Sequence, residues 1–236
     1  MTPPVLQIAG VSKNFGGLRP LRLQDLTVAA GDHVAVIGFD QPSAEVFVNL
    51  VTGATLPDAG TVRLFGRSTA DIADSADWLA VVDRFGIVST RAVLLDQLTV
   101  IQNLAMPFTL EIEPPADDIQ QRAVRLAADV GLPEEGWTRP VGSLDLPSRA
   151  RIRLARALAL DPAVLLLEHA SAGLEGEAAA SFGADVRAIA SRRRIASVAV
   201  TADETFASAA ASHVLTWEPA TGRLIDRRRR GWFRRR

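Results

Sequence analysis

The apolar stretch His33-Val34-Ala35-Val36-Ile37-Gly38 runs into a polar loop, Phe39 to Pro42. After it, Ser43-Ala44-Glu45-Val46-Phe47-Val48-Asn49-Leu50-Val51 carries the apolar spacing of a helix. A strand, a loop and a helix in that order aim free helical N–H groups at the loop, and that geometry binds phosphate. The spacing predicts a strand over 33–38 and a helix with Ser43 as its N-cap. Glu45, in the first turn, complements the positive end of the helix dipole by about 0.3 to 1 kcal/mol. The chain has no cysteine, and its three histidines, His33, His169 and His213, lack metal-ligand spacing, which argues against metal and redox catalysis.

The elements that would position such a loop are those of a mainly parallel α/β sheet. Strands are predicted at Val5 to Phe15, Leu21 to Ala29, Thr61 to Phe65, Gly86 to Ser89, Val164 to Leu167, Ile195 to Val200 and Val214 to Trp217, separated by helical stretches. Between Ala92 and Leu160 the strand signal gives way to helical periodicity over Leu98 to Leu110, Asp117 to Val130 and Ser148 to Leu160, with breaks at Pro114-Pro115 and Gly131-Leu132-Pro133. This predicts one large α/β unit with a helical insert. Its divisions are 1–90, the first part of the core; 91–154, the insert; 155–226, the second part of the core; and 227–236, a polybasic tail. A chain of 236 residues that is 48% hydrophobic can bury a core of that size. Its net charge is -1, yet seven of the last ten residues are arginine, so the remainder is acidic. No apolar run approaches the roughly 18 to 20 residues that cross a bilayer, and the start lacks a signal-peptide pattern, so a cytosolic location is expected.

In their order these segments resemble the ABC-transporter ATP-binding cassette family over almost the whole chain. Val11-Ser12-Lys13-Asn14-Phe15-Gly16 looks like the opening segment whose aromatic, here Phe15, stacks on adenine. Val51-Thr52-Gly53 through Thr61 to Gly66 is similar to the passage that follows the phosphate-loop helix. Leu98-Thr99-Val100-Ile101-Gln102-Asn103-Leu104-Ala105-Met106-Pro107 resembles the stretch that faces the permease, and Leu154 to Asp161-Pro162, then Val164 to Leu167, the helix and strand that precede the Mg²⁺ carboxylate. The resemblance implies a P-loop-type sheet with an antiparallel N-terminal β part, ATP and Mg²⁺ as cofactors, a membrane permease as partner, pairing with itself or with an active cassette, and a place at the inner face of the cell membrane. It also touches the branch that serves lipoprotein and lipid export.

At the positions where the family handles ATP, other residues stand. The phosphate loop G-x-x-x-x-G-K-[S/T] is represented by Gly38-Phe39-Asp40-Gln41-Pro42-Ser43-Ala44-Glu45: Ala44 replaces the lysine, Glu45 the Mg²⁺-binding hydroxyl, and Pro42 withholds an N–H. Losing a cation and gaining an anion are each worth up to about 4 kcal/mol before screening. The only lysine, Lys13, lies on the adenine side, which leaves an arginine from elsewhere as the one replacement cation. Thr90 aligns with the Mg²⁺-sensing glutamine, and Leu144-Asp145-Leu146-Pro147-Ser148 with the L-S-G-G-Q signature, where Asp145 would point an anion at the γ-phosphate of the opposite subunit. Glu168 takes the Mg²⁺ aspartate's place, His169 that of the water-polarising glutamate, and Ala202 that of the switch histidine. His169 reads either as a general base or as a strand-end histidine; Glu45 and Glu168 together could hold a divalent cation.

Three readings follow: an inert cassette that supports a permease, a divergent ATPase in which an arginine and His169 take over, and a surface module acting through Arg227 to Arg236. In that tail Trp232 and Phe233 among arginines suit anionic lipid headgroups, with nucleic acid as the competing partner.

Overall fold

The computed structural model describes residues 4–227. Two sheets divide the strands. The smaller is antiparallel, in the order β2-β1-β4-β5, from β1 (Pro4–Lys13), β2 (Leu21–Ala29), β4 (Ala59–Leu64) and β5 (Arg67–Ser68). The larger runs β10-β9-β3-β8-β7-β6, from β3 (His33–Ile37), β6 (Phe85–Ser89), β7 (Val164–Glu168), β8 (Ala196–Thr201), β9 (His213–Glu218) and β10 (Arg223–Asp226). Its strands are parallel except β10, which folds back antiparallel on β9.

Strands buried on both faces need no polar alternation, which is why β3, β7 and β8 read as mainly apolar runs. Successive side chains still point to opposite faces. Val34, Val36, Leu166, Val198 and Val200 join a core under the small sheet and helix α1 (Gln41–Val51), with Phe47, Leu50 and Val51. Ala35, Ile37, Leu165, Leu167 and Ala199 face a second core, built with helices α5 (Leu146–Leu158), α6 (Gly176–Arg193) and α7 (Glu204–Ala210). Helices α3 (Val100–Ala105) and α4 (Asp117–Asp129) extend that core into the insert after β6; the short helix α2 (Ser75–Val82) precedes β6.

Several predicted boundaries move, each for a local reason. The helix expected over Leu98 to Leu110 covers only Val100–Ala105. Thr99 and Gln102 start it with a reciprocal capping box, and Pro107 cannot continue it. Buried Asn103 ties it to the preceding chain, donating to the carbonyls of Leu95, Leu98 and Thr99 and accepting from Leu95 N–H at 2.9 Å. Helix α5 begins at Leu146 and not Ser148, because Asp145 caps it and Pro147 is tolerated in a first turn. Helix α1 likewise begins at Gln41: its N-cap is Asp40, not Ser43.

Only Arg227 of the arginine tail is described, paired with Glu204 at 2.9 Å; the expectations for residues 228–236 lie outside the described residues. Among the described residues no helix is long and apolar enough to cross a membrane.

Candidate functional site

The carboxyl ends of β3, β6, β7 and β8 converge at Ile37, Ser89, Glu168 and Thr201, and in open α/β sheets ligands bind in the crevice outside such ends. The chain leaves β3 through Gly38, whose N–H donates to Thr201 O at 3.2 Å. Its φ is +105°, and a Cβ there would lie 3.3 Å from the Trp217 carbonyl, so only glycine makes this turn easily. Phe39 turns inward and is 1% exposed. It stacks on Trp217 with ring centroids 4.4 Å apart and meets Phe47 edge-on at 5.6 Å. The residue expected within a phosphate loop therefore works as a core aromatic.

Asp40 then closes the start of α1. Its carboxylate accepts from Ser43 N–H at 2.9 Å, and hydrogen bonds from the Ser43 hydroxyl and N–H hold its carboxyl below the usual range, with His169 adding a smaller pull. The helix does bind its own carboxylate, but that carboxylate is Asp40's and not, as the dipole argument assigned it, Glu45's. The correction follows from the earlier start: with Gln41 as the first helical residue, Glu45 falls beyond the first turn. Ala44 is fully buried among the residues of the small-sheet core.

Glu45 projects instead toward Arg91, which follows Thr90 where the chain leaves β6. The guanidinium reaches Glu45 at 3.0 Å through Nη1 and grips Glu168 through two bonds, Nε to Oε1 at 3.0 Å and Nη2 to Oε2 at 2.6 Å. Gln41 Nε2 donates to Glu168 Oε1 at 2.7 Å. Glu168 is 0% exposed in its side chain, against 43% for Arg91 and 45% for Glu45, so the strongest contact lies on the buried side. The Glu168 hydrogen bond raises the Arg91 pKa above its ordinary value, burial opposes this, and the charges of Glu168 and Glu45 add to it. The pair read as a possible divalent-cation site is thus bridged by a side chain of the same protein. Among the described residues no cluster of three or more metal-ligating side chains is present.

The remaining candidates are distributed around this centre. Thr90 is exposed in the turn after β6. His169 follows β7 with φ +42°; its N–H donates to Val200 O, and its buried Nε2 has no hydrogen-bond partner. Ala202 is exposed, while its neighbour Asp203 caps α7 and accepts from the Ser171 hydroxyl at 2.8 Å. In the 144–148 segment Leu144 packs against the large core and Leu146 is exposed. Asp145 does not aim outward as expected: it accepts from Ser148 N–H at 2.9 Å and caps α5, with its carboxyl held low by the Ser148 hydroxyl and N–H. Phe15 is half-buried at the end of β1, against the small-sheet core.

The structure therefore brings Gln41, Glu45 and Glu168 together, with Asp40 and His169 beside them, and leaves Phe15 and Leu144 to Ser148 on other elements. Arg91 is the functional residue that sequence reading missed. Two carboxylates at neighbouring strand and helix ends require a cation, and an arginine directly after a strand of the same sheet was the available signal.

A family model described as ABC transporter matches residues 23–172. The lipoprotein-releasing system ATP-binding protein LolD of Chromohalobacter salexigens is 30% identical over 184 residues, which cover 78% of this chain and 77% of the relative. The methionine import ATP-binding protein MetN of Leifsonia xyli is 29% identical over 94% of this chain, which spans 64% of that relative's length. The sulfate/thiosulfate import ATP-binding protein CysA of Thermosynechococcus vestitus is 30% identical over 89% of the chain and 60% of its own length. Among solved structures, cbiO1 of Clostridium perfringens, part of the ABC transporter complex cbiONQ, superposes with a TM-score of 0.79 at 18% identity, covering 94% of this chain and 87% of that one. The dimeric structure of MJ0796, a bacterial ABC transporter cassette, gives 0.75 at 19% identity over 94% and 98%. With the matched segment spanning the loop, the carboxylate pair and the insert between them, the chain belongs to the ABC transporter family.

Proposed function

We propose that this chain is a non-hydrolysing cassette that serves a membrane permease as a structural or regulatory half, at the inner face of the membrane. The observation that carries the reading is Arg91, whose guanidinium spans Glu45 and Glu168 where a Mg²⁺ ion would have to sit. The residues present do not fit a Mg²⁺-nucleotide. The helix N–H that would meet a phosphate is taken by Asp40, the lysine position is a fully buried Ala44, and the two carboxylates outnumber the one guanidinium. Binding a polyphosphate would place like charges together in a site with no free cation among the described residues. The relatives' printed roles, import of methionine and sulfate and release of lipoproteins, support transport as the setting without choosing a cargo.

The permease would meet the insert 91–154 and its 98–107 segment. There Met106 and Pro107 line a groove of about 360 Å³ with Ala92, Arg153, Arg156 and Leu160. Arg153 and Arg156 donate to the carbonyls of Ala92 and Val93 and form no ion pair among the described residues, although the charge of Asp96 lies near Arg153, and this favours a docking segment with negative charge. The second cassette would be another copy or an active relative, as in the dimeric structural neighbour.

Calorimetry and a phosphate-release assay on the purified chain test the reading. Millimolar affinity at best and no Mg²⁺-dependent turnover are expected. Micromolar binding of Mg²⁺-ATP with turnover would overturn it in favour of a divergent ATPase, for which the unpartnered Nε2 of His169 would be the base.

A further inference from the structure

The strap that joins β6 to the helical insert is tied at both ends. On the core side, Ser89 is buried, its hydroxyl accepts from Arg91 N–H at 3.1 Å, and its carbonyl accepts from Ala92 N–H at 3.1 Å. Arg91 then anchors to two separate elements, the end of β7 through Glu168 and helix α1 through Glu45. On the insert side, Arg156 Nη1 of α5 donates to Val93 O at 2.7 Å, and Arg149 pairs with Asp96 at 2.5 Å. The Asp96 carbonyl accepts from Gly142 N–H at 2.9 Å, and Asn103 exchanges hydrogen bonds with Leu95.

We propose that Arg91 is a built-in cation that clamps the helical insert onto the core in one fixed setting. A cation from solution joins two carboxylates only while it is bound. A guanidinium carried by the strap joins them at all times, and its planar fork fixes direction as well as distance. The hydrogen bonds that reach the strap from α5, Arg153 to Ala92 O and Arg156 to Val93 O, then meet the core through Ser89 of β6 and, by way of Arg91, through α1 and β7. The insert's position becomes a property of the fold. The clamp needs no nucleotide, and its test is independent of nucleotide binding.

Hydrogen exchange of the backbone amides, read by mass spectrometry, tests the clamp on the full chain without ligand. In Arg91→Ala, amides over 89–98 and in the first turn of α5 are expected to exchange at least tenfold faster, while those of β7 and β8 keep their protection. Arg91→Lys, which retains the charge but not the fork, should fall between. The decisive variant is Arg91→Ala with Glu168→Gln, in which no buried charge is stranded: its melting temperature should recover while its strap still exchanges rapidly. Wild-type protection of the strap in that double variant would overturn the proposal, because the insert-side bonds would then hold the strap alone. Equally faster exchange throughout β7 and β8 would overturn it too, by reducing Arg91 to a general stabiliser. Micromolar Mg²⁺-ATP binding by the wild type would overturn the reading of the nucleotide site, whereas the clamp stands or falls on the exchange of the ligand-free chain.

Discussion

Replacing Arg91 by methionine keeps most of the side chain's apolar length and removes only its charge and donors. The contact to Glu45 joins two groups that are each more than two-fifths exposed, so it contributes at most about 1 kcal/mol. The contact to Glu168 differs, because that carboxylate is 0% exposed and would keep only the Gln41 amide. Stranding one partner of a fully buried pair costs about 3 to 5 kcal/mol. Arg91 itself is 43% exposed, so water can follow it out, and about 2 to 3 kcal/mol is the expected loss. For a chain of this size that is a fall in melting temperature of about 4 to 12 °C. Urea denaturation of wild type, Arg91→Met, Glu168→Gln and the double variant, followed by tryptophan fluorescence, closes a double-mutant cycle. A coupling of about 2 kcal/mol is expected between the two sites. A single-variant loss below about 0.5 kcal/mol with no coupling would refute the argument that the buried carboxylate depends on Arg91.

Asp40→Ala and Asp145→Ala should each lower stability by about 1 kcal/mol at neutral pH. Both carboxyls are held below their ordinary value in the fold, so the caps act fully above that value and fade as pH falls through the acid range; variant and wild-type melting curves should differ at pH 7 and draw together as the pH falls toward about 3 and below. His33 is buried between Ser197 Oγ at 3.0 Å and Ser191 Oγ at 2.9 Å, and burial, with a lesser push from Arg187, lowers its pKa from 6.5. The folded state therefore binds this proton less readily than the unfolded chain, stability declines as pH drops below about 6.5, and His33→Gln should flatten that decline in a melting series. Ala44→Lys alone should give no ATP affinity by calorimetry, because the position is fully buried and Asp40, Pro42 and Glu45 remain; micromolar binding by the single variant would contradict this. Pro42→Gly, Ser43→Gly, Ala44→Lys and Glu45→Ser together still leave the Asp40 cap on the helix, so calorimetry should show ATP affinity recovering only when Asp40→Ala is added to them.

The sheet was readable from sequence because its signal is local: β3, β7 and β8 are apolar on both faces over most of their length, broken within only by Ser197 of β8, as strands buried on both faces can be. The start of α4 at Asp117 was placed correctly, but the cap of α1 lies three residues before the expected Ser43 and α5 starts two before Ser148, since apolar periodicity marks a helix face while the cap lies outside the period. Asp40 and Asp145 were in view, but Asp40 was given no role of its own and Asp145 was read as a charge facing a ligand. Glu45 and Glu168 were paired through the family resemblance, and not through any spacing of their own, as holders of a divalent cation; Arg91 lies between them. Arg91 escaped because the pairing spans 77 residues to Glu168 and reflects no periodicity at all. It follows from strand order, which places β6 beside β7, and from a buried carboxylate that must find a cation.

One repetition ties these observations together. Asp40-Gln41-Pro42-Ser43 and Asp145-Leu146-Pro147-Ser148 share the pattern Asp-x-Pro-Ser, and each opens a helix in the same way: the aspartate accepts from the serine N–H three residues on, and proline occupies a first-turn position where its missing N–H costs nothing. A helix N-terminus attracts a phosphate because its first N–H groups lack partners. Here both termini supply their own partner and a full negative charge besides. Phosphate would have to displace a covalently attached carboxylate twice, against its repulsion. Neither cap residue belongs to the cores, which are closed by Phe39 in the loop before α1 and by Phe47, Leu154 and Leu167 within helices and strands. The two processes are therefore separable: the ends of α1 and α5 can be sealed without loss of the fold, and the fold can be held, by Arg91 among others, without anything bound at those ends.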